Sequence, residues 1–239
     1  MRAIGRIVAL TLDALDAAVR DGITTRELDA VAAEVVAAHG AASAPAAVYG
    51  FPGCVLISVN DEIVHGVPGA RRLRRGDLVK LDVTLQRDGY VADAARTVIV
   101  GAGSATATRL RDCARVALAD ALAIVRAGIK VNRIGRVVER TVRAHGFAVV
   151  PGLEGHGVGR TIHEPPSVPN HYVATQADVL TDGLVLTIEP IISARPARLR
   201  QDADGWTIRT HDGSLAAHEE HTLVITSTGA EILTQSIAA

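Results

Sequence analysis

The chain has 239 residues, of which 48% are hydrophobic, so it can form a core large enough for a globular protein. Its 25 lysines and arginines nearly balance its 26 aspartates and glutamates, which leaves a net charge of −1. This balance excludes the broad basic face that binding to a nucleic-acid backbone requires, so no specific nucleic-acid partner is expected.

The cysteine content and the hydropathy pattern predict a cytoplasmic protein without a membrane partner. The two cysteines are too few for a disulfide framework, which favours a reducing compartment. No uncharged apolar run reaches the roughly 18 to 20 residues that are needed to span a bilayer.

Two amphipathic helices are predicted at the start of the chain. Apolar residues at helical spacing over residues 4–19 indicate the first helix, and a capping box formed by Thr24 and Glu27 predicts the start of the second. Segments rich in β-forming residues follow at 55–59, 78–84 and 90–100, and Asp88 and Gly89 predict a hairpin turn between the last two.

The second part of the chain repeats this order of elements. Helical spacing returns at 106–125 and 132–144, and strand-like segments follow at 147–150, 184–188, 206–209 and 220–226. A short spacing that recurs in both halves supports the repeat, because Gly76 precedes Asp82 by six residues and Gly183 precedes Glu189 by six. The sequence therefore predicts an α/β fold of two similar halves without a linker, in a single domain over residues 1–239.

Four acidic residues stand in or beside strands that are apolar enough to be buried. Asp82 lies inside its strand and Asp93 lies in the next one, while Glu189 and Glu220 occupy comparable places in the second half. A buried carboxylate costs free energy unless it is paired or bound to a metal ion. If the four side chains converge, their combined charge is about −4, which one or two divalent cations would neutralise.

A histidine could complete an oxygen-rich set of metal ligands. His156 stands in the glycine-rich segment 155–159, which is predicted to be a loop. Carboxylates with a single imidazole suit Mn, Fe or Co better than a thiolate zinc site does. Any one acid alone is more readily explained as a strand-end or surface residue, but four in matching contexts favour a metal site.

Several short motifs carry a resemblance to a known family. They are NDEIVHGVP at 60–68, LDVT at 81–84, DGYVAD at 88–93, GHGVG at 155–159, HEPP at 163–166, TIEP at 187–190, DGWT at 204–207 and EHT at 220–222. In this order and spacing the chain resembles type I methionine aminopeptidases from about residue 2 to residue 234. The resemblance implies a pita-bread fold, in which helices cover a curved antiparallel sheet made of two pseudo-symmetric halves.

The resemblance also implies an activity, a cofactor and a set of ligands. The activity is hydrolysis of the N-terminal methionine from newly made polypeptides by a water that two divalent cations activate. Cobalt, manganese and iron are the candidate metals. The ligands matched by position are Asp82, Asp93, His156, Glu189 and Glu220. Asp93 and Glu220 would bridge the two ions, and Glu189 would also shuttle a proton.

Substrate contacts are implied in the same way. His65 and His163 would form hydrogen bonds with the substrate and the tetrahedral intermediate rather than bind metal. The expected wall of the methionine pocket is Pro45, Val48, Phe51, Leu56, Ile162 and Trp206. Phe51 and Trp206 keep the aromatic character that is usual in the family, while Pro45 and Leu56 stand where a cysteine is usual. A flexible thioether fits such an aliphatic slot.

The expected partners are the N-termini of nascent chains, with transient proximity to the ribosome, and a monomer is the default oligomeric state. One alternative is another pita-bread aminopeptidase, of the Xaa-Pro type, although those usually carry a large preceding domain. A second alternative is a non-catalytic pita-bread binding protein, although such proteins lose ligands and this chain keeps all five.

Overall fold

The computed structural model describes residues 1–236, so the last three positions of the expected domain lie outside the described residues. The helices of the described part are α1 (Arg2–Ala18), α2 (Thr25–Ala38), α3 (Ala44–Tyr49), α4 (Ala105–Ile124) and α5 (Val131–Ala144). The strands are β1 (Ala42–Ser43), β2 (Leu56–Val59), β3 (Glu62–Val64), β4 (Leu78–Arg87), β5 (Tyr90–Ile99), β6 (Ala148–Val149), β7 (Gly155–Gly157), β8 (Glu164–Val168), β9 (Val185–Ile188), β10 (Ile191–Ser193), β11 (Leu199–Gln201), β12 (Ile208–Thr210), β13 (Ala216–His218), β14 (His221–Ile225) and β15 (Ala230–Ile232).

The first half packs α1 and α2 against the sheet that contains β4 and β5. The capping box is formed, since Glu27 N–H donates to Thr24 Oγ1 at 3.1 Å and Thr24 N–H donates to Glu27 Oε2 at 2.8 Å. Apolar residues from both helices join the core beneath them, among them Leu12 and Leu28. The predicted start of α2 and the apolar buried faces of both helices are therefore confirmed.

The strand β4 is the centre of the first sheet, where it pairs antiparallel with β1, β2 and β5. The turn between β4 and β5 consists of Asp88 and Gly89, whose φ values of 53° and 75° suit a two-residue hairpin turn. The predicted hairpin is confirmed, and its regular register fixes which side chains of the two strands share a face.

The second half places α4 and α5 over a five-stranded antiparallel sheet of order β15-β14-β9-β7-β8. Two smaller sheets, β13-β10-β6 and β11-β12-β3, complete the structure. The halves meet along β5, where the N–H of Glu220 donates to the carbonyl of Ala95 at 2.9 Å. This junction brings the two sets of acidic residues together.

The structure corrects some element boundaries. Residues 155–157 form β7 rather than a loop, since pairing with β8 and β9 holds them extended. Gly155 and Gly157 fit there because a Cβ at either would lie within 2.6 Å of a neighbouring carbonyl oxygen. The strand predicted at 206–209 begins at Ile208, because Asp204 holds the preceding N–H groups in a turn. Among residues 1–236, no helix combines the length and the apolarity that crossing a membrane requires.

Candidate metal centre

Asp82 and Asp93 emerge from the same face of the first sheet. Asp93 is paired with Thr84 across the β4–β5 hairpin, and Asp82 lies two residues before Thr84 on β4. Because side chains alternate along a strand, this register directs both carboxylates to one side. That is the arrangement expected from the sequence.

Glu189 and Glu220 stand at matching ends of two paired strands. Glu189 directly follows β9 and Glu220 directly precedes β14, and the adjoining residues Ile188 and His221 are paired. Thr187 links this pair to His156: its hydroxyl donates to Glu189 Oε1 at 3.1 Å and accepts from the N–H of His156 at 3.1 Å.

The imidazole of His156 is oriented for binding at Nε2. Its Nδ1 lies 2.9 Å from the carbonyl oxygen of Gly157, and a carbonyl oxygen can only accept, so Nδ1 carries the hydrogen. Nε2 of the neutral ring then presents its lone pair, and it lies 3.6 Å from Glu189 Oε1. Metal-binding histidines are commonly oriented in this way by a backbone carbonyl.

The acidic residues are buried together. Burial, and then repulsion by neighbouring carboxylates, raises the pKa of both Asp82 and Glu220 well above the usual range. Burial also raises the pKa of Asp93, although the nearby His156 opposes the shift. Like charges that are buried beside one another call for a compensating cation.

The donor atoms fit divalent cations. One oxygen each of Asp82, Asp93 and Glu220 is buried without a hydrogen-bond partner among residues 1–236. Two groups within that part of the chain have ligand atoms that all lie within 4.8 Å of one another. They are Asp93, His156 and Glu220, and Glu189, His218 and Glu220.

The cluster also contains His218, which the sequence did not predict. It is 2% exposed and lies on the same side as Glu220, from which it is separated by one residue in an extended segment. The strand predicted at 220–226 does not include residue 218, so alternation along that strand could not indicate this position. No motif of the resemblance includes it.

The two histidines expected to contact substrate line the cavity above this cluster. Burial lowers the pKa of His65, and burial together with the nearby His156 lowers the pKa of His163. The ring centroids of His163 and His156 are 4.3 Å apart. Nδ1 of His163 also lies 2.9 Å from the hydroxyl of Tyr49, a contact that the sequence did not predict.

The cavity has a volume of about 290 Å³, and its wall includes twelve of the thirteen residues expected at the site from the sequence. Phe51 and Trp206 form an edge-to-face pair in that wall, with ring centroids 5.2 Å apart and an interplanar angle of 89°. Val48 was expected there but is 56% exposed, and the wall contains Tyr49 instead. The turn of α3 directs these two neighbours to different sides.

A curved set of antiparallel sheets covered by helices, with a buried cluster of carboxylates and imidazole, defines a protein built to hold divalent cations. Residues 1–227 match the model of a protein family described as metallopeptidase family M24. The chain is 40% identical over 237 residues to the methionine aminopeptidase of Escherichia coli K12, covering 98% of this chain and 89% of that protein.

Solved structures agree with this assignment. The crystal structure of methionine aminopeptidase from Thermotoga maritima aligns with a TM-score of 0.96 at 35% identity, covering 99% of this chain and 95% of that chain. Prolidase from Pyrococcus furiosus aligns with a TM-score of 0.79 at 23% identity, covering 98% of this chain and 62% of that chain, and shares the fold. The chain belongs to metallopeptidase family M24, and the expected pita-bread fold is confirmed.

Proposed function

We propose that this protein is a metal-dependent aminopeptidase that removes the N-terminal methionine from newly made polypeptides by hydrolysis. The observation that carries the proposal is the position of the carboxylate cluster. The cluster lies in the wall of one cavity with the Phe51–Trp206 pair, so a cation site and an apolar side-chain site adjoin. The similarity to methionine aminopeptidases over nearly the whole chain supports the same activity.

Five residues would hold two divalent cations. They are Asp82, Asp93, His156, Glu189 and Glu220. The unpaired buried oxygens of Asp82, Asp93 and Glu220 and the mutual repulsion of the carboxylates are the observations that favour cation binding. When bound, such cations lower the pKa of water and polarise a carbonyl group. Cobalt, manganese and iron suit this donor set, and their relative use depends on availability.

The protein's own side chains would move protons and orient the substrate. Glu189 would take a proton from the attacking water at a carboxylate oxygen and deliver it to the departing amine. His65 and His163 would donate hydrogen bonds to the substrate amide and to the tetrahedral oxygen. The pKa of each is lowered, which keeps the imidazole neutral, and a neutral imidazole has one N–H to donate.

The substrate would be the N-terminus of a nascent chain. Phe51, Trp206 and the aliphatic residues beside them would enclose the methionine side chain, and sulfur–aromatic contacts would favour the thioether. Nascent chains with N-terminal methionine are presented at cytoplasmic ribosomes. The proposal therefore includes a cytoplasmic location and transient proximity to the ribosome. The enzyme would act as a monomer.

A peptide assay tests the proposal. Metal-stripped protein is supplied with Mn, Fe or Co, and release of the first residue is measured from Met-Ala-Ser, Leu-Ala-Ser and Ala-Pro-Ala. We expect metal-dependent release of methionine, with Met-Ala-Ser preferred. Failure to release methionine with every metal would overturn the proposal, and preferred cleavage of Ala-Pro-Ala would favour an Xaa-Pro enzyme instead. An Asp93→Ala variant with full activity would contradict the ligand set.

A further inference from the structure

His218 lies within the candidate metal centre, although the sequence motifs do not include it. It ends β13 and faces the cavity, as does Glu220 two residues later. The alternate residues Glu219 and His221 face the opposite way, where they line a separate depression with Arg115. His218, which is buried, and His221, which is half-buried, therefore stand on either side of one candidate ligand, and only His218 faces the centre.

The distances around Glu189 place its carboxylate between two imidazoles. Oε1 lies 3.6 Å from Nε2 of His156, and Oε2 lies 3.5 Å from Nε2 of His218. Nε2 of His218 also lies 3.7 Å from Glu220 Oε2. His218 thus has the same relationship to one carboxylate oxygen as the expected ligand His156 has to the other.

These separations suit a shared cation better than direct hydrogen bonds. Hydrogen bonds between nitrogen and oxygen are usually about 2.7–3.2 Å long, so 3.5 and 3.7 Å are too long for good ones. Two donor atoms that each lie about 2.1 Å from one ion can be up to about 4.2 Å apart. Nε2 of His218 and the facing oxygens of both glutamates satisfy that limit.

The polar atoms of His218 also require a partner. Both ring nitrogens are buried, and neither has a hydrogen-bond partner within residues 1–236. A buried polar group without a partner costs free energy, which a coordinate bond at Nε2 would offset. We propose that His218 Nε2 is a further imidazole ligand of this centre, on the cation held by Glu189 and Glu220.

This inference rests on the metal centre of the proposed function and extends its donor set from one imidazole to two. Each of the two groups of neighbouring ligand atoms then contains one histidine, and Glu220 belongs to both. Imidazole favours Zn, Fe and Ni, whereas sites made of carboxylates suit Mn. His218 therefore increases the preference of the centre for nitrogen-seeking metals over Mn.

The imidazole count of the loaded protein tests the inference directly. The full-length, metal-stripped chain is loaded with two equivalents of Zn or Co, and X-ray absorption spectroscopy counts imidazoles around the metal. We expect two imidazoles per two ions in the wild type and one in His218→Gln. His221→Gln is the matched control, because it removes the other flanking histidine, and it should still show two.

Metal affinity gives a second measurement that does not depend on activity. Changes even to groups that only support a ligand weaken binding by about 10- to 100-fold, so His218→Gln should lose at least about tenfold in Zn affinity. Its Mn affinity should fall less. Circular dichroism checks that the variant is folded. If the variant does not fold, the number of imidazoles around the metal in the wild type still tests the inference.

Each outcome decides the inference. One imidazole per two ions in the wild type would overturn the role of His218. The proposed function would stay intact, because His156 would account for that single imidazole. An unchanged count or unchanged Zn affinity in folded His218→Gln would overturn it as well. Absence of any tight cation binding by the wild type would overturn both the inference and the proposed function.

Discussion

The side chain of Thr222 is hydrogen-bonded to the backbone of Asp93 in both directions. Its hydroxyl donates to the carbonyl oxygen of Asp93 at 2.7 Å and accepts from the N–H of Asp93 at 2.9 Å. Thr97 repeats the arrangement with the backbone of His218, at 2.6 and 2.8 Å. These buried hydroxyls join the two halves of the fold at the residues that face the candidate metal centre.

Removal of the Thr222 hydroxyl should loosen this junction. Thr222→Val keeps the shape but leaves the N–H and the carbonyl of Asp93 buried without that partner. We expect a loss of about 1–3 kcal/mol in the free energy of unfolding, measured by denaturant titration. Thr222→Ser, which keeps the hydroxyl, should lose much less. Equal stability of the two variants would contradict the role given to the hydroxyl.

Removal of bound metal should destabilise the folded protein. Only the folded chain brings the four acidic residues together, so a cation present at about 100 times its dissociation constant should add about 2.7 kcal/mol. For a chain of this size we expect chelation to lower the Tm by roughly 5–10 °C, measured by calorimetry. In Asp93→Asn the Tm values with and without metal should differ much less. The same Tm with and without metal in the wild type would count against the centre.

The aromatic wall of the cavity should contribute to the choice of methionine. Phe51→Leu keeps an apolar side chain but removes the ring that packs edge-to-face on Trp206. A sulfur–aromatic contact is worth about 0.3–1.5 kcal/mol, so kcat/KM for Met-Ala-Ser should fall about 2- to 10-fold. Release of leucine from Leu-Ala-Ser should change less. Val48→Ala is the control, because Val48 lies outside the wall and should leave both rates unchanged.

Alkylation of the Cys54 thiol should require a higher pH than alkylation of an ordinary thiol. Burial, and then the charge of Asp29, raises its pKa to about 11. A raised pKa keeps the thiol protonated at neutral pH, so the rate of alkylation by iodoacetamide in the native protein should rise until about pH 11. In the unfolded chain the midpoint should lie near the ordinary value of about 8.5.

The variant Asp29→Asn tests the electrostatic part of that shift. Asp29 accepts hydrogen bonds from the N–H groups of Cys54 and Val55, and an asparagine carbonyl can still accept them. The alkylation midpoint should move downward but stay above the unfolded value, because burial is the larger cause. A native midpoint that equals the unfolded one would contradict the raised pKa.

Local sequence patterns were sufficient to predict the parts of this protein that depend on neighbouring residues. Helical spacing and the Thr24 capping box fixed α1 and α2, and alternation with a two-residue turn fixed the β4–β5 hairpin, because both signals are local. The resemblance carried by ordered motifs indicated the family, which the comparisons confirmed. The metal ligands stay a prediction.

Which side chains meet depends on contacts between distant parts of the chain, and these are visible only in the folded structure. Asp93 and Thr222 are 129 positions apart, and no local pattern reports that their strands adjoin. For the same reason His218 had no signal of its own, since its importance comes from Glu189 on another strand. The placement of Tyr49 rather than Val48 in the cavity depends on the packing of one short helix. Local periodicity determines where helices and strands form, whereas the register and packing of distant strands determine which residues meet at the candidate metal centre.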